Sequence, residues 1–278
     1  MTTTETLLLP FLHAGRAGFQ ITLDPVFQGL PGVAHGGSVL AAFDVAAALG
    51  GPRRVVGRYR RRVPLGTPLD LAMERAEGAV RCRLYDPTST SLLVEGQIDR
   101  GELPAASAPP AVVEGSPLPV SSTCFVCGVE SSVGLRAQLW FDEMTVGGTW
   151  RPPARFRDAH GSLSSLALLA LLDEAAFWLG ALATGESGMT TDLAVTLAAR
   201  VPLDTTLTLS GARARVQPSS DDSRYWTTHV EAREGSGRLV AAADITFVAV
   251  RGAARKLAAW MAPLNSRDIL HRIFPAYA

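Results

Sequence analysis

Several kinds of residue and segment are scarce in this chain, and each scarcity excludes a class of protein. The 278 residues include only three cysteines, too few for the disulfide framework of a small secreted protein, which indicates a reducing compartment. Positive and negative side chains balance at 26 each, so no overall field attracts a nucleic acid or an anionic membrane. Hydrophobic residues make up 47% of the chain and charged residues 19%, so a sizeable core is available.

Uninterrupted apolar runs and targeting signals are also missing. The two most apolar stretches contain Asp44 and the pair Asp173-Glu174, and a carboxylate at the centre of a membrane span costs roughly 2.5–3.5 kcal/mol. Residues 1–10 carry no basic segment before the leucines at 7–9, unlike a signal peptide. No Walker loop, dinucleotide fingerprint or nucleophile elbow is visible. We expect a cytoplasmic protein that binds no nucleic acid and no membrane.

An internal repeat is the main feature of the sequence. Residues 27–44 align with residues 156–173 at an offset of 129, and both segments run from Phe to Asp. A second block, Arg-Val-Pro-Leu-x-Thr, begins at residues 62 and 200, where the offset is 138. The larger offset predicts an insertion in copy two at 180–188. A third block begins at residues 92 and 239, where the offset is 147, and predicts a second insertion at 217–223. Both insertions are expected in loops.

Each copy is predicted to hold one apolar helix, at 37–49 and 163–183, with antiparallel strands around it. A helix that is apolar on every side must be buried on every side. The fold class is therefore α+β, a tandem double unit in which a curved antiparallel sheet wraps each helix. The strands are expected at 17–24, 54–63, 67–77, 79–85 and 90–99, and in copy two at 134–141, 145–151, 191–200, 205–216, 224–233 and 238–250.

The predicted boundaries follow from the same patterns. An N-terminal unit is expected at 1–100 and a C-terminal unit at 123–251. A linker rich in Pro, Ala and Ser joins them at 101–122. A helical extension at 252–278, with helices at 252–262 and 266–273, is expected to pack on the outside.

Each copy contains a recognisable set of residues. Copy one has Pro31, Gly32, His35, Gly36, Gly37 and Asp44, with the Asp nine positions after the His. Copy two has Cys124, Cys127, Gly128, Gly134, Leu135, Trp150, Pro152 and residues 171–175. These two sets resemble the hotdog-fold thioesterase superfamily, most closely the phenylacetic-acid-degradation type of acyl-CoA thioesterase. The resemblance covers roughly residues 17–250.

The resemblance implies two paired hotdog units with antiparallel helices, one joined sheet and active sites at the seam between the units. In related enzymes the backbone N–H after the His of one unit polarises the thioester carbonyl, and the helix Asp or Glu of the other unit acts as base or nucleophile. The implied substrate is an acyl-CoA, and no cofactor is needed beyond the coenzyme A of that substrate. The double unit could itself form a homodimer.

The residues themselves suit this chemistry. Gly36 and Gly37 have no Cβ and lie at a helix start, where N–H groups are free and the helix dipole is positive. The alternative is a glycine turn in which Ser38 caps the helix. His35 either holds the turn through a backbone carbonyl or contacts the thioester.

Asp44 and Asp173 occupy equivalent positions inside the most apolar helices, where an ionised carboxylate is expensive unless it is paired or needed. Each could instead be a structural Asp bonded to nearby backbone. Because His35-Gly36-Gly37 aligns with 164–166, Ser-Ser-Leu, the copies are not equivalent.

Sites formed across the seam would combine His35, Gly36 and Gly37 with Asp173 in one competent site. The other would combine Ser164 and Ser165 with Asp44 and be impaired. Within one copy, Asp44 would take the catalytic role instead. The nearby pair His160-Gly161 falls four residues early, opposite Pro31-Gly32, and is not a second motif.

Two further features concern binding. Arg58, Arg60 and Arg62 would share one strand face and could hold the phosphates of coenzyme A, or they form a solvated face. Cys124-x-x-Cys127 has half of the spacing of a zinc knuckle, but only Cys82 remains and no His pair has standard spacing, so we expect no metal. A redox pair has no thioredoxin-like context.

These observations favour an acyl-CoA thioesterase that uses Asp173 and the Gly36 amide at one site per chain. The alternative is a non-catalytic binding protein for acyl-CoA or another hydrophobic ligand, because copy two lacks His-Gly-Gly. A hydratase-type lyase is a third possibility, although its Asp and His usually lie together near the helix start.

Overall fold

Most of the chain forms one antiparallel sheet that wraps two apolar helices. The computed structural model describes residues 12–15, 18–104 and 115–277. The expectations for residues 1–10 and for the central part of the linker, 105–114, lie outside these residues.

Within the described residues, copy one contributes strands to one half of the sheet and copy two to the other half. The strands of copy one are β1 (Leu12–Gly15), β2 (Gly18–Thr22), β3 (Arg53–Tyr59), β4 (Pro68–Ala76), β5 (Ala79–Asp86) and β6 (Ser91–Arg100). The later strands are β7 (Ser116–Pro117), β8 (Trp140–Phe141), β9 (Thr145–Trp150), β10 (Gly188–Leu197), β11 (Leu207–Ala212), β12 (Gln217–Pro218), β13 (Tyr225–Glu234) and β14 (Leu239–Ala249). Their order is β1-β2-β4-β5-β6-β3-β10-β14-β13-β11-β9-β8-β7, with β12 beside β13.

Four α-helices accompany the sheet in the described residues. They are α1 (Gly36–Ala47), α2 (Ser165–Thr184), α3 (Ala253–Met261) and α4 (Arg267–Ile273). Large side chains of α1 and α2, such as Phe43 and Trp178, are fully buried against the concave face. α2 is long and apolar enough to span a membrane, but 83% of its most apolar 18-residue stretch is buried inside the protein. This burial is what the core helix of the fold requires.

The two copies meet at β3 and β10, which pair antiparallel with Val55 opposite Val195. This ladder joins both half-sheets into one. The helices meet at Gly37, where a Cβ would lie 2.5 Å from Ala170 Cα of α2. Only glycine lets the start of α1 approach the α2 backbone so closely.

Backbone hydrogen bonds repeat between the copies at the offsets found in the sequence. His35 N–H donates to Phe27 O, and Ser164 N–H to Phe156 O, both at 2.8 Å. Ala34 N–H bonds Val63 O at 3.0 Å, just as the equivalent Leu163 N–H bonds Val201 O at 2.8 Å. The predicted α+β double unit is thereby confirmed.

The structure corrects three details of the sequence prediction. The extra residues near 180–188 lengthen a helix rather than a loop, because α2 has 20 residues and α1 has 12. Only Trp140–Phe141 of the predicted strand 134–141 pairs as a strand. β3 ends at Tyr59 instead of continuing to residue 63.

Candidate active site

A cavity of about 560 Å³ lies at the seam between the copies. One end is polar and is lined by His35, Gly36, Asp173 and Glu174. The rest is mainly apolar, with side chains from α2, β10, β14 and α3. The C-terminal extension therefore does more than pack on the outside, because Leu257, Trp260 and Met261 of α3 form part of the cavity wall.

Asp173 of copy two lies against the start of α1 of copy one. Its Oδ2 accepts a hydrogen bond from Gly37 N–H at 2.9 Å, and its Oδ1 accepts one from the Thr190 hydroxyl at 2.6 Å. Thr190 precedes a bulge in β10, the kind of irregularity that re-aims a side chain. The carboxylate is 95% buried, and a Cβ at Gly36 would lie 2.8 Å from its Oδ2.

The Gly36 amide faces the same space. It donates no hydrogen bond to any residue in the described part of the chain, and it lies in the first turn of α1, at the positive end of the helix dipole. The carbonyl of the same peptide, His35 O, accepts from Ser38 N–H at 3.0 Å and from Val39 N–H at 3.1 Å. The next peptide is held by the Tyr59 hydroxyl, which donates to Gly36 O at 2.7 Å. Ser38 does not cap the helix, since it lies inside α1 and its hydroxyl has no partner among the described residues.

His35 lies between two carboxylates. Its Nε2 is 3.4 Å from Glu174 Oε2, and its Nδ1 is 3.3 Å from Asp173 Oδ2, within ion-pair distance but without hydrogen-bond geometry. Burial alone would lower the pKa of the imidazole. The hydrogen bond with Glu174 and the negative charge of Asp173 act the other way and raise the pKa of His35 to about 9.

Glu174 is fully enclosed by partners. Its Oε1 accepts from the Trp178 indole N–H at 3.0 Å, and Cys124 Sγ lies 3.8 Å from its Oε2. Burial raises the pKa of this carboxyl, but the hydrogen bond and charge of His35 outweigh that effect and lower the pKa below its ordinary value. Cys127 lines the same cavity, and the pKa of its thiol is raised well above its usual range by a hydrogen bond with Cys124 and by burial.

The equivalent position in the other copy is built differently. Asp44 lines a second cavity, of about 370 Å³, together with Ser165, and it forms a two-bond ion pair with Arg53 at 2.5 and 2.7 Å. Ser164 is buried, and its hydroxyl accepts from Leu166 N–H as the cap of α2. The structure thus separates Asp44 from His35 and pairs it with a cation.

The arginine prediction is partly wrong in its geometry. Arg58, Arg60 and Arg62 all line the mouth of the seam cavity, but they do not share a strand face, because β3 ends at Tyr59. Arg58 pairs with Asp192 at 2.8 Å and Arg60 with Glu95 at 3.4 Å, and both pairs are solvent-exposed.

Sequence reasoning missed several residues of this site. Glu174 follows the predicted Asp173 directly, and its signal was a second carboxylate in the same apolar helix. Thr190, Tyr59 and Trp178 carry no sequence signal, because each becomes part of the site only through folding.

The comparisons with known proteins concern the fold. No protein-family profile and no curated protein matches this sequence. A proposed thioesterase II from Thermobifida fusca YX superposes with a TM-score of 0.65 at 17% identity, covering 90% of this chain and 98% of that one. A protein from Alicyclobacillus acidocaldarius described as having a hot dog fold superposes with a TM-score of 0.54 at 14% identity, covering 86% of this chain and 95% of that one.

This chain is a tandem double hotdog. The fold implied by the sequence resemblance is confirmed, and the match extends over nearly the whole of both solved chains. A third similar structure is a dehydratase domain of RzxB from Pseudomonas fluorescens, with a TM-score of 0.52 at 16% identity over 85% of this chain and 96% of that one. The double hotdog fold is therefore compatible with more than one reaction, and the function has to be argued from the site.

Proposed function

We propose that this double hotdog hydrolyses an acyl-CoA thioester at one site, formed across the seam by His35, Gly36 and Asp173. The observation that carries the proposal is the contact of Asp173 from copy two with the start of α1 from copy one, inside the seam cavity. Thioester hydrolysis needs a donor for the carbonyl oxygen and a base or nucleophile. Both groups are present within one cavity.

The Gly36 amide is the donor in this proposal. Its N–H is unused by the described residues, and the carbonyl of the same peptide, His35 O, accepts from Ser38 N–H and Val39 N–H. The thioester oxygen would accept this hydrogen bond as negative charge develops on it. Removing one such donor from an enzyme typically lowers the rate by about 10²–10³.

Asp173 is the carboxylate that acts on the substrate. The Gly37 amide and the Thr190 hydroxyl orient it. An ionised carboxylate can accept a proton from an attacking water or attack the carbonyl carbon itself. When water attacks, the C–S bond breaks, and the proton taken up by Asp173 passes to the departing sulfur. When Asp173 attacks, the C–S bond breaks to leave a mixed anhydride on Asp173, and coenzyme A leaves as a thiolate. Water then hydrolyses the anhydride, which releases the acid and restores the carboxylate, and a proton from that water ends on the thiol.

The cavity fits a small acyl group. Its volume is within the roughly 300–1,000 Å³ typical of small-molecule sites, and its apolar lining includes Phe177, Met189 and Trp260. The exposed arginines at the mouth are suited to the phosphates of coenzyme A. The second cavity has no equivalent catalytic set, since Asp44 is held by Arg53, so we propose one working site per chain.

Thiol release from a panel of acyl-CoAs tests the proposal. We expect turnover by the wild type, a loss of at least about 10³-fold in kcat for Asp173→Asn, and little change in kcat for Asp44→Asn. Turnover that survives in Asp173→Asn but not in Asp44→Asn would place the reaction within one copy and overturn the cross-seam site. Including a 2-enoyl-CoA and following its hydration tests the lyase alternative.

A non-catalytic acyl-CoA binder is the second candidate. It is favoured by the fact that both oxygens of Asp173 already accept hydrogen bonds from the protein, as in a structural carboxylate. Binding of acyl-CoA that raises the melting temperature without any turnover would establish this function in place of hydrolysis.

A further inference from the structure

The Cys124-x-x-Cys127-Gly128 segment forms a tight turn. Gly128 N–H donates to Cys124 O at 2.9 Å, and any side chain at Gly128 would collide with that oxygen. Val126 N–H points at Cys124 Sγ over 3.3 Å. The turn therefore brings two sulfurs, one of them with an N–H donor, to the same cavity.

This turn is anchored between the two copies. The Phe125 ring packs between Phe27 and Phe156, with centroid distances of 5.2 and 6.4 Å, and these two residues are equivalent in the repeat. Phe125 N–H also donates to Gln28 O at 2.7 Å. The position of the two cysteines is thus fixed relative to the His35 turn as well as to α2.

Two further donors face the cysteines. One ligand atom from each of His35, Cys124 and Glu174 lies within 4.8 Å of the other two. Cys127 lines the same cavity, and its Sγ lies 3.9 Å from the Ser121 hydroxyl. All four side chains are more than nine-tenths buried. The sequence offered only two ligands at recognisable spacing, whereas folding brings the third and fourth from distant positions.

Two separations among the donors match those around a tetrahedral ion. Zinc binds sulfur at about 2.3 Å and nitrogen or oxygen at about 2.0–2.1 Å, so ligand atoms around it lie roughly 3.3–3.8 Å apart. The observed separations are 3.4 Å from His35 Nε2 to Glu174 Oε2 and 3.8 Å from Cys124 Sγ to Glu174 Oε2. Thiolate, imidazole and carboxylate are also the ligand types that zinc accepts.

We propose that Cys124, Cys127, His35 and Glu174 bind one zinc ion per chain. The surrounding groups support the ligands in the manner expected of a metal site. Asp173 Oδ2 lies 3.3 Å from Nδ1 of His35, and the Trp178 indole N–H bonds the free oxygen of Glu174. Binding releases the protons of the two thiols and the Nε2 proton of the His35 imidazolium. The ion connects the cysteine turn, α2 and the turn at His35. This inference goes beyond the proposed hydrolysis, which does not depend on the ion.

Metal analysis of protein purified under reducing conditions without chelators tests this proposal. We expect about one zinc per chain in the wild type and near-background zinc in Cys124→Ser and in Cys127→Ser. Cys82→Ser is the matched control, because Cys82 is equally buried but lies in β5, and it is expected to keep its zinc. Asp44→Asn should also keep it, since Asp44 lines the other cavity.

A second measurement needs only the wild type and so is independent of any folding defect in the variants. Protein stripped of metal is titrated with Co²⁺, and we expect visible d–d bands of a tetrahedral site and near-ultraviolet thiolate charge transfer that saturate at one equivalent. Zinc added afterwards should remove both signals. Failure of the stripped protein to take up zinc or cobalt would overturn the proposal. So would a mass two units low under non-reducing conditions, which indicates a disulfide, or uptake unchanged in both cysteine variants.

Discussion

Asp44 and Asp173 show how two residues at equivalent positions in a repeat acquire different roles. Asp173 is held by an amide and a hydroxyl and remains open to the seam cavity. Asp44 is neutralised by Arg53 through two charge-assisted hydrogen bonds. The carboxylate alone is thus no guide to function, because its partners decide whether it is available.

The Asp44–Arg53 pair gives a stability prediction at this scale. Removing one partner of a buried pair leaves the other charge uncompensated, so Arg53→Met should lower the free energy of unfolding by about 3–5 kcal/mol. Arg58→Met, in the same strand, breaks an exposed pair and should lower it by less than about 1 kcal/mol. Urea unfolding measures both, and equal losses in the two variants would contradict the assignment.

His35 gives a pH prediction for the metal-free protein. Its pKa is about 9 in the folded state, against an ordinary value of 6.5, because Glu174 and Asp173 outweigh the effect of burial. The folded state therefore binds more protons than the unfolded state between these values. The stabilisation is complete below about pH 6.5 and is lost as the pH rises through about 9. Unfolding of chelator-treated protein should show this decline, and His35→Gln should flatten it.

At the scale of elements, the contact between α1 and α2 depends on Gly37. A methyl group there would meet the backbone of Leu169 and Ala170, which cannot move aside as a side chain can. Gly37→Ala should therefore destabilise the protein by roughly 1–3 kcal/mol through overpacking. Gly50→Ala is the matched control, because a Cβ there has no atom within 4 Å. Thermal unfolding of the two variants should separate them clearly.

The α3 helix gives a prediction about specificity. Trp260 contributes to the apolar wall of the seam cavity, so Trp260→Ala should enlarge the cavity and shift the preference towards longer or bulkier acyl groups. The measurement is the ratio of kcat/KM, or of Kd, across an acyl-CoA series. An unchanged ratio would mean that the acyl group does not reach α3.

The elements differ in how far the sequence predicts them, for physical reasons. The bounds of α1 and α2 lie within two residues of the prediction because an all-apolar helix has few alternatives to burial. Residues 134–141 resemble a strand locally, but most of the segment packs without a ladder, with Trp150 Nε1 bonded to Leu135 O at 2.9 Å. The insertion at 180–188 is predicted as a loop although residues 180–183 also fall within the predicted helix at 163–183, because small apolar residues suit both a helix and a buried loop.

The site was predictable only in part. The meeting of Asp173 with the His35 turn follows from the repeat and the family resemblance. Glu174 and Cys124 approach His35 across separations of 139 and 89 positions in the chain, and no local pattern encodes such proximity. The prediction of no metal rested on ligand spacing along the chain, which takes no account of side chains that folding brings together. It stays a prediction, against which the proposed zinc site can be tested.

At the scale of the molecule, the β3–β10 ladder and the α1–α2 contact hold the copies together independently of the linker. We therefore expect the copies to stay associated after cleavage at a protease site engineered within residues 105–114. Size-exclusion chromatography should show a single species of unchanged size. Its melting temperature should now fall on dilution, because association has become bimolecular. Separation into two species on cleavage would contradict this expectation.

The joining of both copies in one chain also has an evolutionary consequence. In a dimer of identical subunits, every substitution appears at both symmetry-related sites. A substitution that stabilises the fold but abolishes catalysis therefore abolishes it at both sites. In the fused chain, Asp44 could enter a salt bridge while Asp173 stayed unchanged. Likewise, Glu174 could arise in copy two while the aligned position in copy one remained Val45. Covalent fusion thus frees each site from the constraints on its twin, and selection can act on them as two separate traits.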